Sequence, residues 1–328
     1  MTNFWKVYNK QLVERAKKLT KTRKLLTIKV NIEWDKEVEE LNKEFYTRRG
    51  GRKYEFPDSL FVLLYIIKVY EGLSYRQLEG RIYGMFKKTP NFRTIRKRVM
   101  LLDYETIEKV NKDIIRHKTD NSKLEIILDA TGVRVNNSHV YREKKYKTKR
   151  KRNWKKLHLA MDRKTGLIVA HNVMSNNVSE VETRRLLKFL EEILKNIGDN
   201  VLVSKLYGDG AYDNTIFFEA LREIDIDPVI KIDKITIENI RKQLYMNRFK
   251  LGNNGRELWK ASTYREKKAL EQREWKRYVR KKGYGFRSGI EGWISSFKNK
   301  FGEHVMSKSM DMIRKEILFK IMIMNMMR

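Results

Sequence analysis

Cysteine is absent from this sequence, proline occurs three times and histidine five times. Without cysteine there is no disulfide framework and no thiolate zinc site, which fits a reducing interior. The histidines, His117, His139, His158, His171 and His304, show no paired ligand spacing, so a zinc site is not expected. No repeat period is visible, and with so few prolines the boundaries must be read from charge and pattern. Long apolar runs are missing too. Leu60 to Tyr70 and Ile317 to Met327 are each interrupted by lysine and fall short of the roughly 20 residues that a membrane span needs. The N-terminus lacks a signal-type apolar region. A protein of the cytoplasm or nucleoid, with no membrane partner, is the expectation.

Acidic residues are also scarce: 41 Asp and Glu stand against 73 Lys and Arg, a formal charge of +32. A chain so charged repels itself unless a polyanion lies along it, and nucleic acid is the obvious one. Avoidance of aggregation or an anionic membrane surface is the bland alternative. The charge is concentrated in two runs. Between Arg142 and Lys156 ten residues are basic and only Glu143 is acidic, with Tyr146 and Trp154 interleaved. Arg273 to Arg287 is similar, with Trp275, Tyr278 and Tyr284. Lysine and arginine neutralise phosphates, and aromatics between them can stack on unpaired bases. A solvated basic loop is the plainer reading.

At 328 residues the chain suits one large domain with a smaller attachment. Residues 1–55 are polar, with scattered aromatics and a basic glycine-containing close, Arg48 to Lys53. Residues 57–102 read as three helices. The first ends at Gly72; Ser74, with Gln77 three residues on, opens the second as a capping box; the third runs from about Asn91 to Leu102. The second and third have the look of a helix-turn-helix at about 73–102, with Arg93, Thr94, Arg96 and Lys97 turned toward a major groove. A helical DNA-binding region over 1–120 is therefore expected, although helical hairpins with a basic face also occur without DNA.

From Leu124 the pattern changes to strands and helices. Strands are expected at Glu125 to Val135, Lys156 to Met161, Leu167 to Met174, Val201 to Tyr207 and Pro228 to Ile232, with helices at Ser179 to Asn196 and Asn214 to Ile224. The order β-β-β-α-β-α-β is that of an RNase H-like fold, an α/β class with a mixed sheet and helices on both faces. Residues 234–283 look like a charged helical insertion without a clear core face. Helices should follow at 284–302 and 309–327, the last with a methionine stripe read as core packing.

Asp129 follows Ile126-Ile127-Leu128, where a carboxylate beside buried aliphatics costs several kcal/mol unless it is paired or bound to a cation. Asp209 repeats the situation after Val201 to Tyr207, between Gly208 and Gly210. Glycines there allow close approach of a ligand to the end of a strand. Either aspartate alone reads equally well as a turn or capping residue. A third carboxylate on a helix changes the balance, because hard oxygen ligands suit Mg²⁺ or Mn²⁺. Glu291 is the candidate: Tyr284, Arg287, Glu291 and Lys298 fall within about 60° of one another on a helix. The plainer reading of that face is solvated ion pairs at helical spacing.

The arrangement Tyr284, Arg287, Glu291, Lys298 resembles the signature around the catalytic glutamate of insertion-sequence DDE transposases. Other matching pieces, in the same order, are Asp129-Ala130-Thr131-Gly132, the basic stretch into Trp154-Lys155-Lys156-Leu157-His158-Leu159-Ala160-Met161-Asp162, Gly208-Asp209-Gly210-Ala211-Tyr212-Asp213, and Phe301-Gly302. The resemblance spans roughly Leu124 to the C-terminus, and nothing in it matches 234–283. It implies an RNase H-like catalytic domain over 121–328 in which Asp129, Asp209 and Glu291 bind two Mg²⁺ ions, with Mn²⁺ as a substitute. It implies that Tyr284, Arg287 and Lys298 contact DNA near the cut. Lys149, Arg150, Lys151, Arg152 and Trp154 are the further DNA-binding candidates, from the basic run. The partners implied are the double-stranded DNA of transposon ends and target, with a homodimer when paired ends are bound. The competing readings are a transposase-derived DNA-binding regulator without strand transfer, and a structure-specific RNase H-like nuclease.

Overall fold

The computed structural model describes residues 34–46, 53–86, 88–119, 123–135, 154–175, 182–198, 201–250 and 263–328. The chain forms two compact units: one holds the described residues up to Val110 with Ser309–Ile323, the other Asn111–Lys308 with Met324–Arg328.

The first unit is helical. Its helices are α1 (Trp34–Tyr46), α2 (Asp58–Glu71), α3 (Tyr75–Arg81), α4 (Phe92–Leu101) and the first part of α5 (Tyr104–Lys118). Gly72 ends α2 in the left-handed region, φ 67°, which a side chain would resist. Ser74 and Gln77 form the expected capping box, and the Asn91 side chain accepts from Thr94 N to open α4. The connection from α3 to α4 covers residues 82–91, longer than the three or four residues of a tight helix-turn-helix turn. The apolar faces of α2 and of the late helix Met310–Met327 are buried, with Tyr65 edge-on to Phe319 at 4.7 Å. The isoleucine and methionine stripe is thus core, as its composition predicts.

The second unit is built on a mixed sheet. Its strands are β1 (Leu124–Val135), β2 (Trp154–Asp162), β3 (Ile168–Ser175), β4 (Val203–Gly208) and β5 (Asp227–Ile230), in the order β3-β2-β1-β4-β5. β1, β2 and β3 are antiparallel neighbours, whereas β4 and β5 run parallel to β1. A short β6 (His304–Val305) extends the far end of β1. Between β3 and β4 lies α6 (Thr183–Ile197), which buries Leu186, Phe189, Leu190, Ile193 and Ile197 at helical spacing. Between β4 and β5 lies α7 (Thr215–Glu223), which adds Phe217, Phe218 and Leu221 to the same core. This is the RNase H-like arrangement that the element order predicts.

The segment after β5 differs from expectation, because it does have a core face. It comprises α8 (Lys234–Lys250), α9 (Tyr264–Glu271) and α10 (Trp275–Lys282) among the described residues. Ile237, Ile240 and Ala269 join the sheet's core cluster. Gln272 accepts from Ile232 N at 2.9 Å and donates to Ile230 O at 2.6 Å, so it covers backbone groups at the end of β5 that an edge strand otherwise exposes. Lys268 and Lys282 both reach the Asp227 carboxylate, at 2.6 and 2.9 Å. The apolar face is narrow, and Arg265, Lys268 and Lys282 beside it are spent on internal pairs; this hid it in the sequence pattern. Two further helices complete the chain, α11 (Ser288–Phe301) and α12 (Met310–Met327).

Candidate active site

Side chains alternate along a strand, so Glu125, Ile127 and Asp129 share one face of β1, and Lys205 and Tyr207 share the matching face of β4. α11 covers this face. Gly289 lies where a Cβ would meet Met161 and Ile127 at ordinary contact distance, and Ile290, Trp293 and Phe297 are buried beneath the helix. The close approach brings Glu291, in the first turn of α11, toward the strands.

Asp129 is half-buried in β1, and its Oδ1 accepts from Ala130 N at 2.8 Å. Burial raises its carboxyl above the ordinary value, the nearby charges of Asp209 and Glu291 raise it further, and the Ala130 N–H and Arg287 offset only part of this. Asp129 therefore feels acids from two other elements. Asp209 stands directly after β4, where its Oδ1 accepts from Ala211 N and caps the 3-10 turn Gly210–Tyr212. The capping role and the place at a strand end hold together. Gly208 makes room for the chain itself. A Cβ at Gly208 would meet the Tyr212 ring at 3.0 Å, and Tyr212 is in turn fixed by a 2.9 Å bond between its hydroxyl and His158 Nε2.

The signature residues split between two helical forms. Tyr284 and Arg287 lie in a 3-10 turn, Tyr284–Arg287, where residues three apart eclipse, and α11 begins at Ser288. The Arg287 guanidinium pairs with Glu291 through Nη2, and its Nη1 lies 3.7 Å from Asp129 Oδ2. Burial lowers the Arg287 value, but the Tyr284 hydroxyl and the charges of Glu291, Asp129 and Asp209 outweigh it, and the net is a rise. Tyr284 is pushed up by burial and by the charge of Asp209, although Arg287 opposes this. Lys298 is half-buried on α11 and has no ion-pair partner among the described residues.

The fit to a divalent cation is one of chemistry before geometry. Three hard carboxylates, one of them desolvated, are the donor set that Mg²⁺ or Mn²⁺ takes. Among the described residues, however, no three acidic or histidine side chains converge closely enough to hold an ion as they stand. The cation in their midst is Arg287.

Of the remaining candidates, Arg93, Arg96 and Lys97 are exposed on one side of α4, while Ile95, Arg98 and Val99 are buried on the other. Trp154 opens β2 with the Arg134 guanidinium 5.1 Å from its ring centre, and its ring packs on Gly132. Lys149, Arg150, Lys151 and Arg152 lie outside the described residues. Glu125, Arg163 and Tyr207, a linked cluster that touches the Tyr284–Arg287 turn, carry no motif; strand alternation back from Asp129 and Asp209 finds two of them.

Sheet order, with one acid on the central strand, one at the end of its parallel neighbour and one on the helix that covers them, defines a protein of the RNase H-like class. More particularly, the chain belongs to the transposase DDE domain family, whose match covers residues 120–326 and whose members generally use divalent metal ions. An uncharacterized protein of Aquifex aeolicus is 30% identical over 128 residues, 38% of this chain and 35% of that protein. The chain thus spans about a third of the length of that relative. Among solved structures, the Drosophila P element transposase strand transfer complex is similar over 63% of this chain and 49% of that chain, at 12% identity and a TM-score of 0.33. The Mos1 transposase paired-end complex with left transposon end covers 82% and 92%, at 10% identity and a TM-score of 0.23. At such low scores nothing further rests on either. No described helix is long and apolar enough to cross a membrane.

Proposed function

We propose that this protein is a transposase that binds the ends of an insertion sequence and catalyses metal-dependent cleavage and strand transfer of DNA. One observation carries the reading: in a chain matched to the transposase DDE domain family over residues 120–326, Asp129 on β1 and Glu291 on α11 meet at the Arg287 guanidinium, with Asp209 at the end of the neighbouring strand β4.

In this reading the three carboxylates hold two divalent ions, Mg²⁺ or Mn²⁺. When bound, such ions activate water or a DNA 3′-hydroxyl and stabilise the leaving oxygen of an in-line displacement. The chain's own contribution is placement. β1 and β4 fix two carboxylates on neighbouring strands, and α11 brings the third over them. Burial of Asp129 makes its bare charge costly and a cationic neighbour favourable. Arg287, Tyr284 and Lys298 offer charge-assisted and hydroxyl contacts to phosphates beside the acids.

Arg93, Arg96 and Lys97 on α4 contact the element's ends, while Trp154 and the basic run before it carry part of the DNA footprint. The charge of +32 supports a polyanionic partner of this size. We assign the protein to the prokaryotic cytoplasm, at the nucleoid, and to a homodimer when paired ends are bound.

The test is cleavage of end-containing DNA in Mg²⁺ by the purified protein and by Asp129→Asn, Asp209→Asn and Glu291→Gln, with gel shifts on the same preparations. Each substitution should abolish cutting and spare end binding. Near-normal cutting by any one of them removes that residue from the site.

A further inference from the structure

The turn that carries Tyr284 and Arg287 also carries Phe286, which is 48% exposed and so contributes little to any core. Its ring nevertheless has a specific neighbour. The Arg163 guanidinium sits 3.7 Å from its centre, well inside cation–π range. Arg163 does not belong to the catalytic helix; it lies in the turn between β2 and β3.

That turn is held firmly. The Asp162 carboxylate accepts from Thr165 N at 2.8 Å and from Thr165 Oγ1 at 2.6 Å, and Gly166 closes it at φ 69°. Arg163 N donates to Glu125 O at 2.8 Å, and its guanidinium pairs with the Glu125 carboxylate. Glu125 also accepts from the Tyr207 hydroxyl at 2.9 Å and from Lys205 Nζ at 3.3 Å. Burial pushes the Glu125 carboxyl up, but these three donors outweigh it, and the group stays below its ordinary value.

The cluster touches the other end of the catalytic turn as well. The Tyr207 hydroxyl lies 3.3 Å from Lys282 O, at the end of α10. Gly283, at φ 75°, begins the turn, and a Cβ there would meet Phe286 Cε2 at 2.6 Å and come within 3.7 Å of the Tyr207 hydroxyl. Glu125 is two alternations before Asp129 on β1, and Tyr207 is one before Asp209 at the end of β4.

We propose that Glu125, Arg163 and Tyr207 form a brace which, through the Arg163 guanidinium on the Phe286 ring, positions the Tyr284–Arg287 turn and so sets Arg287 and Glu291 against Asp129 and Asp209. The brace rests on reading those acids as the active site. Its members are positioning residues: none of them contacts the reacting phosphate. The same strands that carry two of the catalytic carboxylates carry the brace, so the third carboxylate is referenced to the other two and not to its own helix alone.

The discriminating pair is Phe286→Leu, which removes the π face, and Phe286→Tyr, which keeps it. Four quantities are measured on each: Mn²⁺ binding to the DNA-free protein by electron paramagnetic resonance, single-turnover cleavage of end DNA, end-DNA affinity and melting temperature. Phe286→Leu should cut about tenfold more slowly, as expected for loss of one cation–π contact at a positioned site. Mn²⁺ binding should shift severalfold in the same variant, because both Arg287 and Glu291 are displaced, while DNA affinity and melting stay near wild type. Phe286→Tyr should restore both rate and Mn²⁺ binding. Equal behaviour of the two variants, whether both normal or both impaired, overturns the brace. Loss of DNA affinity in Phe286→Leu with Mn²⁺ binding intact overturns it in favour of a ring that stacks on DNA. Asp129→Asn is run alongside: unchanged Mn²⁺ binding in that variant sinks the active-site reading itself and the brace with it, whatever Phe286 does.

Discussion

The Arg287 guanidinium bridges toward Asp129, 3.7 Å from its Oδ2, while its other nitrogen is paired with Glu291. One cationic side chain therefore faces two of the three acids and offsets about half of their combined charge. Any divalent ion that takes those oxygens has to displace it.

The first expected outcome follows from that competition. Arg287→Gln should bind Mn²⁺ more tightly than wild type in the absence of DNA, by severalfold or more, because the carboxylates lose their resident counter-charge. Folding should scarcely change, since a helical pair with an exposed partner is worth only about 0.3–0.5 kcal/mol, and Glu291 is 54% exposed. End cleavage should nonetheless fall, as one charge-assisted phosphate contact is lost. Weaker Mn²⁺ binding in Arg287→Gln would mean that the guanidinium helps to organise the acids and does not compete for them.

Recognition by α4 makes a second case. Replacing Arg93, Arg96 and Lys97 together by Ala should weaken binding to the element's ends more than binding to random DNA, because the three are exposed on one side while Ile95 and Val99 anchor the other. Titrations at one fixed salt concentration are needed, since phosphate binding is steeply salt-dependent. Equal loss on both DNAs would assign α4 to the backbone alone.

Much of this was legible in the residues. The element order of β1 to β5 followed from alternation and breaker positions, and Ser74 with Gln77 announced the start of α3. The three acids proposed for the site stand out in the sequence because each breaks a local pattern: two close apolar runs and one sits amid cations. What stayed hidden depends on partners distant in sequence. Gly208 looked like room for a ligand, whereas the space is taken by the Tyr212 ring. The segment after β5 looked coreless because few of its described residues, Ile237, Ile240 and Ala269 with Leu244 and Tyr264 packed alongside, reach the core cluster. Arg163 is one basic residue among many until the turn folds it onto Glu125 and Phe286.

Lys298 offers a clean contrast with Arg287. It has no ion-pair partner among the described residues, so Lys298→Ala should leave both melting temperature and Mn²⁺ binding at wild-type values. If the side chain meets a phosphate, end cleavage should drop by roughly one to two decades, the equivalent of about 1.5–3 kcal/mol for a charged hydrogen bond. A variant that melts lower and cuts normally per folded molecule would make Lys298 a packing residue.

The last expectation concerns Asp227, which ties the α9 and α10 segment to β5. Burial raises its carboxyl, but the hydrogen bonds and charges of Lys268 and Lys282 more than offset this, and the net is below the ordinary 3.8. A carboxyl lowered in the folded state stabilises the fold at pH above its unfolded value, and that contribution is lost as pH falls through the lowered one. Lys268 moves the other way: burial lowers it, the partnership with Asp227 and Glu271 raises it more, and its net value exceeds 10.5. Its contribution is complete below that ordinary value and is lost as pH climbs through the raised one. The pair is therefore fully effective across the neutral range. At neutral pH Asp227→Asn leaves the Lys268 ammonium, with a side chain only 9% exposed, facing a neutral amide, with Glu271 at 3.6 Å as its remaining acid. Removing one partner of a fully buried pair costs about 3–5 kcal/mol, and the loss here should fall below that range, because Asp227 is 26% exposed and Glu271 remains beside both lysines. Thermal melts at pH 7 should then show a loss of several degrees. As the pH is lowered past the Asp227 titration the wild type surrenders the same interaction, so the gap between the two curves should close. A constant gap from pH 7 down to pH 2 would show that Asp227→Asn acts through packing and not through charge.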